Sequence, residues 1–252
     1  IVNNYLAAKY GLALASADVY RQDEPAQGNY DHEAAGIGRT NASNIHNDAQ
    51  SGVLRINNPT GLGDNEFLMW GHDAGALSTF GIHDLPVGVE GRWQRTWRVS
   101  EVNANYTAVD VGAVDLTFDL SSFGPVSASD LRLLVDTDNN GVFANNTALS
   151  GAAALGSGFF RFSGVTALAN NVRFTLGTAD IGSTPLPVRL LHFAGEPSGS
   201  GARLHWSTAT EHNSDHFGVE RSLDMLHWEA FARVPAAGES QRTLTYEALD
   251  DE

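Results

Sequence analysis

"GRWQRTWRVSEVNANYTAVDVGAVDLTFDL", residues 91–120, decides the fold class. Apolar and polar residues alternate through it: Val114, Leu116, Phe118 and Leu120 fall on one side of a period-two strand, Asp115, Thr117 and Asp119 on the other. Trp93 and Trp97 stand four apart in one predicted strand, so they point to the same face and read as core rather than as a stacking platform. Arg92, Arg95 and Arg98 interleave with them and are expected to pair with surplus carboxylates.

Runs of the same character lie on both sides. "GVLRIN" (52–57), "EFLMWG" (66–71), "LRLLVD" (131–136), "GFFRFSG" (158–164) and "NVRFTLG" (171–177) are rich in Val, Leu, Phe and Trp and are separated by Gly, Asn, Asp and Pro clusters. The 26 glycines against 8 prolines fit many tight turns. One segment has helical spacing: in "VNNYLAAKYG", Val2, Leu6 and Tyr10 fall at i and i+4 steps with Tyr5 alongside, and Gly11 stands at the position of a C′ stop. The expectation is an all-β sandwich carrying one short N-terminal helix. Composition breaks at "DIGSTPLPVRLLHF", which sets a linker near 181–187 and two domains, 1–182 and 183–252. Beyond it "VRLLHFAG", "GARLHWSTAT", "HFGVERSLD", "HWEAFARVP" and "TLTYEAL" supply five short strands of a second, smaller sandwich.

Thirty Asp and Glu stand against 15 Lys and Arg, a formal charge of −15 that repels phosphate backbones and anionic lipid. Nucleic-acid and membrane-surface partners are therefore not expected, whereas divalent cations suit such a surface. No apolar run reaches the roughly 18 residues of a membrane helix, so insertion is not expected either. Without cysteine the chain has neither disulfides nor thiolate metal sites. The opening "IVNNYLAAKYGL" has no signal-peptide pattern and reads as the interior of a longer chain.

Two resemblances cover nearly the whole chain. From Leu186 onward, the residues Leu186, Pro187, Val188, Leu191, Phe193, Leu204, Trp206, Thr208, Glu211, Asn213, Phe217, Val219, Arg221, Ser222, Asp224 and Trp228 follow one order. That order is similar to the fibronectin type III-like segment preceding the sorting domain of type IX secretion substrates of the Bacteroidetes. The first half, through "NNYLAAKYGL", "YDHEAAGIGR", "SGVLRINNPTGLGDNEFLMWGHD" and "RWQRTWRVSE", resembles a domain of unknown function of the same surface proteins. The resemblance implies a secreted, extracellular location and no catalytic apparatus. Fibronectin type III-like domains have seven strands in about 100 residues, and the region from 186 supplies five of them. A chain cut short, proteolytic processing, and completion by a strand from a neighbouring subunit are the competing accounts.

Among candidate sites the first is "DTDNNGVF" (136–143). Asp136, Asp138 and Asn140 alternate before Gly141, the arrangement by which a tight loop turns three side-chain oxygens onto a hard cation such as Ca2+, with the Val142 carbonyl as a fourth ligand. Thr147 stands where an EF-hand has its bidentate Glu and no entering helix is apparent, so an EF-hand is not expected, and a plain Asn-Asn-Gly turn is the competing reading. "HEAAG" (32–36) begins like a zinc-protease helix but lacks the second His. "GLGDNEFLMWGHD" places Asp64, Glu66, His72 and Asp73 near Trp70, a carboxylate pair beside an aromatic that suits sugar binding or glycoside cleavage, with Asp64 and Glu66 on one strand face. "HNSDH" (212–216) is expected in a loop.

These readings converge on a non-catalytic structural or adhesive module of a secreted cell-surface protein, stiffened by calcium, with partners among copies of itself, neighbouring domains, or a glycan or surface ligand. Two alternatives stand beside it: a subunit of an extracellular filament completed by strand donation, and an accessory region of a larger extracellular carbohydrate-active hydrolase.

Overall fold

The computed structural model describes residues 1–252 except 78–79, 124–125, 182–189, 200, 209–210, 223–227, 241 and 252. The chain forms two compact units, Ile1–Thr184 and Pro185–Glu252; the linker expected at 181–187, with Leu186, Pro187 and Val188, falls almost wholly outside the described residues.

The first unit opens with helix α1 (Val2–Tyr10). Among the described residues thirteen strands follow: β1 (His32–Asn41), β2 (Asn44–His46), β3 (Asp48–Ser51), β4 (Leu54–Asn57), β5 (Glu66–His72), β6 (Phe80–Gly81), β7 (Gly91–Trp93), β8 (Trp97–Asn103), β9 (Val114–Asp119), β10 (Leu131–Asp136), β11 (Ala153–Gly156), β12 (Phe159–Val165) and β13 (Arg173–Thr178). A larger sheet runs β2-β1-β5-β8-β13-β7-β6, with β10 also on β13; a smaller one runs β11-β12-β9-β4-β3. Every pairing is antiparallel, and the fold is the all-β sandwich expected.

Alternation makes the interior. Leu54, Ile56, Val114, Leu116, Phe118, Phe160 and Phe162 of the smaller sheet are buried. Phe118 meets Trp97 and Trp93 of the larger sheet with ring centroids 6.0 and 6.2 Å apart. Trp97 in turn stacks on Phe174 at 5.6 Å. Truncating an aromatic of this kind to Ala costs about 3–5 kcal/mol.

The larger sheet is also covered on its other face, so β8 is buried almost throughout instead of alternating. Val19, Tyr20, Ala8, Ala34, Met69 and Val102 form that second cluster. Tyr20 donates its hydroxyl to the Tyr30 carbonyl at 2.6 Å, directly over Gly71: a Cβ there would lie 2.3 Å from that carbonyl and 2.4 Å from the Tyr20 oxygen. Only glycine lets the segment lie this close.

Helix α1 ends as its sequence dictates and packs otherwise than expected. Gly11 adopts φ 62, and the Gly11 and Leu12 amides bond back to Ala8 and Ala7. Val2, Leu6 and Tyr10 are exposed, while Asn4, Ala7 and Ala8 are buried. The reason is polar: Asn4 Oδ1 accepts the Val19 and Tyr20 amides and its Nδ2 donates to the Ala17 carbonyl, all at 2.9–3.0 Å. A side chain that satisfies three backbone groups of the covering segment fixes the helix face more firmly than apolar spacing does.

The second unit contains β14 (Leu190–Ser198), β15 (Gly201–Thr208), β16 (Glu211–Arg221), β17 (Glu229–Ser240) and β18 (Leu244–Asp250). They form a sheet β14-β15-β18 and a hairpin β16-β17, so each expected strand is found. Phe217 of the hairpin joins the two, against Trp206 at 5.5 Å and Tyr246 at 4.8 Å, which stack on each other at 5.8 Å within the sheet. Glu211 is buried and accepts bonds from Thr208 Oγ1 (2.7 Å), the Tyr246 hydroxyl (2.5 Å) and the Ala237 amide (2.8 Å). That anchoring extends β16 back through "HNSDH", which lies in a bulged strand instead of a loop; His216 there bonds Asp215 at 2.8 Å.

Candidate functional site

Two irregularities of the larger sheet meet at one histidine. His72 ends β5 and pairs with His32 of β1 on one side and Trp97 of β8 on the other. Between His32 and Ala35, β1 carries one residue more than β5 spends opposite it, a bulge in which Glu33 takes φ 49. On the other side β7 and β8 follow the same edge of β13, but Arg92 to Trp97 is five steps where Gly177 to Phe174 is three. The two extra residues split the strand expected around both tryptophans and free Arg95 from the ladder.

The bulges deliver Glu33 and Arg95 to the same place. Glu33 Oε2 lies 3.0 Å from His72 Nε2 and 3.4 Å from Arg95 Nη1. The Ala74 amide donates to His72 Nδ1 at 3.0 Å, so the imidazole proton is on Nε2 and points at Glu33. Arg95 Nε donates to the Gly75 carbonyl at 3.0 Å, and Asp73 Oδ1 accepts the Gly75 and Thr96 amides. His32 stacks on His72 at 5.6 Å and holds Asp31 at 2.6 Å. Gly52 (φ 54) closes the arrangement, because a Cβ on it would lie 1.9 Å from Glu33 Oε2.

Burial pushes the His72 pKa down, the Arg95 cation pushes it further, and Glu33 opposes both. Burial likewise lowers the Arg95 guanidinium against the pull of Glu33 and Asp73. The imidazole is therefore neutral, with both nitrogens engaged. What the cluster shows to solvent is the Glu33 carboxylate, its side chain 42% exposed above a His72 side chain that is 3% exposed. A groove of about 340 Å³ between α1 and β1 runs past it, lined by Tyr5, Lys9, Asp31, His32, Glu33 and Ser51 among others.

Asp136, Asp138, Asn140 and Val142 fall together in one loop, as the sequence places them. Their oxygens are turned onto the loop itself. Asp136, fully buried, accepts the Asn140 and Gly141 amides and pairs with Arg173 at 3.2 Å. Asp138 Oδ2 accepts Asn140 Nδ2 and Asn145 Nδ2, Asn140 Oδ1 accepts the Val142 amide, and the Val142 carbonyl accepts Asn146 Nδ2. Desolvation raises the Asp138 carboxyl, and the bonds from Asp136, Asn140, Asn146 and Asn145 outweigh it, leaving its pKa below the ordinary value. Asp84 fastens the far side, accepting the Phe143 and Ala144 amides on one oxygen. Among the described residues no three His, Asp or Glu side chains stand close enough to hold a metal ion.

Other expected pairs separate. Asp64 lies in the turn before β5 and accepts Arg39 Nε at 2.6 Å, whereas Glu66 accepts the Gly63 amide at 2.6 Å, so they share no strand face. Trp70 is fully buried. Arg92 pairs with Asp84 and Arg95 with Glu33, but Arg98 has backbone partners instead, the Asn171 and Gln27 carbonyls, beneath the Tyr30 ring. The sequence brought His32 and His72 to notice separately. It gave no sign that Glu33 and Arg95 join them, because a bulge is a property of register and not of residue type.

Among the described residues no helix is long and apolar enough to cross a membrane. No curated protein and no solved structure matches the chain. The family model of DUF8202, a domain of unknown function, matches residues 1–171, which is most of the sandwich and the whole of the His72 cluster. The chain belongs to the DUF8202 family.

Proposed function

We propose that the chain is a non-catalytic structural and adhesive module of a secreted bacterial cell-surface protein. The observation that carries this reading is the engagement of both His72 nitrogens. A general base needs a free lone pair at a reacting atom, and this imidazole spends its lone pair on the Ala74 amide and its proton on Glu33. The most enzyme-like constellation of the chain thus serves to hold a carboxylate still. The 136–146 loop behaves alike, spending its polar groups on its own backbone and side chains and on Arg173, and rigid loops on a packed sandwich are what a spacer and contact surface requires. The acidic surface and the resemblance of the second half to segments of secreted surface proteins support the extracellular location.

The test couples the purified chain to beads and measures their retention on bacterial envelopes and extracellular matrix, alongside turnover of chromogenic glycosides and esters. Retention without turnover is expected. Hydrolysis abolished by Glu33→Gln would overturn the reading in favour of an enzyme, and filaments of the isolated chain in electron micrographs would favour the strand-donation alternative.

A further inference from the structure

The outer face of the smaller sheet carries a second constellation. Gln50, Arg55, Thr117 and Arg161 are successive cross-strand partners across β3, β4, β9 and β12. They point away from the core, since their neighbours in sequence, Leu54, Ile56, Leu116, Phe118, Phe160 and Phe162, point into it. The row floors a hollow of about 310 Å³, walled by Val53, Leu155 and Phe159, with Asp119 at its rim. The β11-β12 turn supplies the wall through three consecutive residues of positive φ, Gly156, Ser157 and Gly158. Gly158 lets the turn close on the segment just after β9, because a Cβ there would lie 2.4 Å from Ser121 Cα.

The floor is fixed by its own bonds. Arg55 grips Asp48 with two nitrogens, Nε at 2.7 Å from Oδ1 and Nη2 on Oδ2. Arg161 Nε donates to Thr117 Oγ1 at 3.2 Å, and Thr117 is buried under the row although it faces outward. Asp115 stands 4.0 Å from Arg161 Nη1, and Asp119 accepts the Ser121 amide and hydroxyl on one oxygen. After these bonds the hollow still offers guanidinium N–H groups of Arg55 and Arg161, the Gln50 amide and the second Asp119 oxygen, donors and acceptors side by side.

We infer that this hollow binds a sugar unit of a neutral polysaccharide. Arg55 is neutralised by Asp48, Arg161 has Asp115 at 4.0 Å, and Asp119 lines the same hollow, so an anion finds no excess positive charge. A polyhydroxylated ring needs fixed donors and acceptors around its edge and an apolar surface for its C–H face. Arg55, Arg161, Gln50 and Asp119 supply the first; Phe159 and Leu155 supply the second. The volume lies at the lower end of the range for small-molecule sites, roughly 300–1,000 Å³. The inference deepens the adhesive reading by giving it a partner, and the two fail separately: beads that adhere to envelopes while the hollow binds no glycan keep the first and lose the second.

The experiment is affinity electrophoresis of the 252-residue chain through gels carrying β-glucan, xylan, mannan or dextran, with dextran sulfate as the anionic control. Retardation by at least one neutral polysaccharide is expected, weakened about tenfold or more by Arg161→Ala and by Thr117→Val, the scale set by losing a charge-assisted hydrogen bond. Glu33→Gln, in the other groove, should leave retardation unchanged. Circular dichroism and melting establish that each variant is folded; if Arg161→Ala is not, exposed Gln50 carries the test as Gln50→Ala. Absence of retardation by all four neutral polymers, retardation by dextran sulfate alone, or full retardation of the folded variants would overturn the inference.

Discussion

Single polar residues set more of this structure than the apolar pattern suggests. Asn4 decides which face of α1 is buried. Glu101, in the middle of β8, is 2% exposed and accepts the Val111 amide at 2.7 Å. Desolvation drives its pKa from 4.5 up to about 7, the bond from Val111 opposing and Asp110 and Glu66 adding to the rise. A carboxyl whose folded pKa lies above its unfolded value contributes stability below pH 4.5 and loses it as the pH climbs through about 7. At about 1.4 kcal/mol per pH unit the loss is on the order of 3 kcal/mol. Glu101→Gln keeps an oxygen for Val111 and removes the charge, so it should match the parent below about pH 4.5, become progressively more stable than it up to about pH 7, and keep that margin above. Urea unfolding across that range measures the difference, and parallel pH profiles for the two proteins would show the carboxyl to be solvated.

At the scale of elements, irregularity creates the sites. The bulge in β1 and the break between β7 and β8 aim Glu33 and Arg95 at His72, and the positive-φ turn of β11-β12 walls the hollow over Arg55 and Arg161. Sequence singled out "HEAAG", as a failed zinc-protease helix start, and "GLGDNEFLMWGHD" as separate motifs but gave neither the strand β1 nor their meeting, since a one-residue change of register leaves composition untouched. The 136–146 loop shows the converse: its residues were legible and their partners were not. For calcium to bind there, Asp138, Asn140 and the Val142 carbonyl must exchange N–H donors for the cation, while Asp136 stays with Gly141 and Arg173. If calcium stiffens the loop, EDTA should lower the Tm by a few degrees, Asp138→Ala should abolish that difference, and added Ca2+ should restore it only in the parent. Identical melts with and without chelator would assign the order of the loop to its asparagine bonds alone.

For the whole molecule, charge is the dominant property. At −15 the chain repels itself, and raising salt from about 0.01 M to 0.15 M contracts the screening length from about 30 Å to about 8 Å. Surface pairs such as Arg39–Asp64 and Arg233–Asp215 lose little by this, being worth about 0–1 kcal/mol each. The Tm should therefore rise by several degrees over that range in a scanning calorimeter; a fall would mean that ion pairs outweigh self-repulsion. The all-β class, the five strands of the second unit, most of the buried strands of the first, the helix with its Gly11 stop and the acidic character were legible in the sequence, because period-two alternation, turn residues and formal charge are local or additive quantities; β1, β2, β3, β6 and β11 were not, being short or lacking apolar alternation. Tertiary structure alone decided which face α1 buries, that Trp93 and Trp97 belong to two strands, that Arg98 answers to carbonyls, and that Glu33, His72 and Arg95 form one cluster. Each of these depends on register and on competition for hydrogen-bond partners between segments distant in the chain, which only packing resolves.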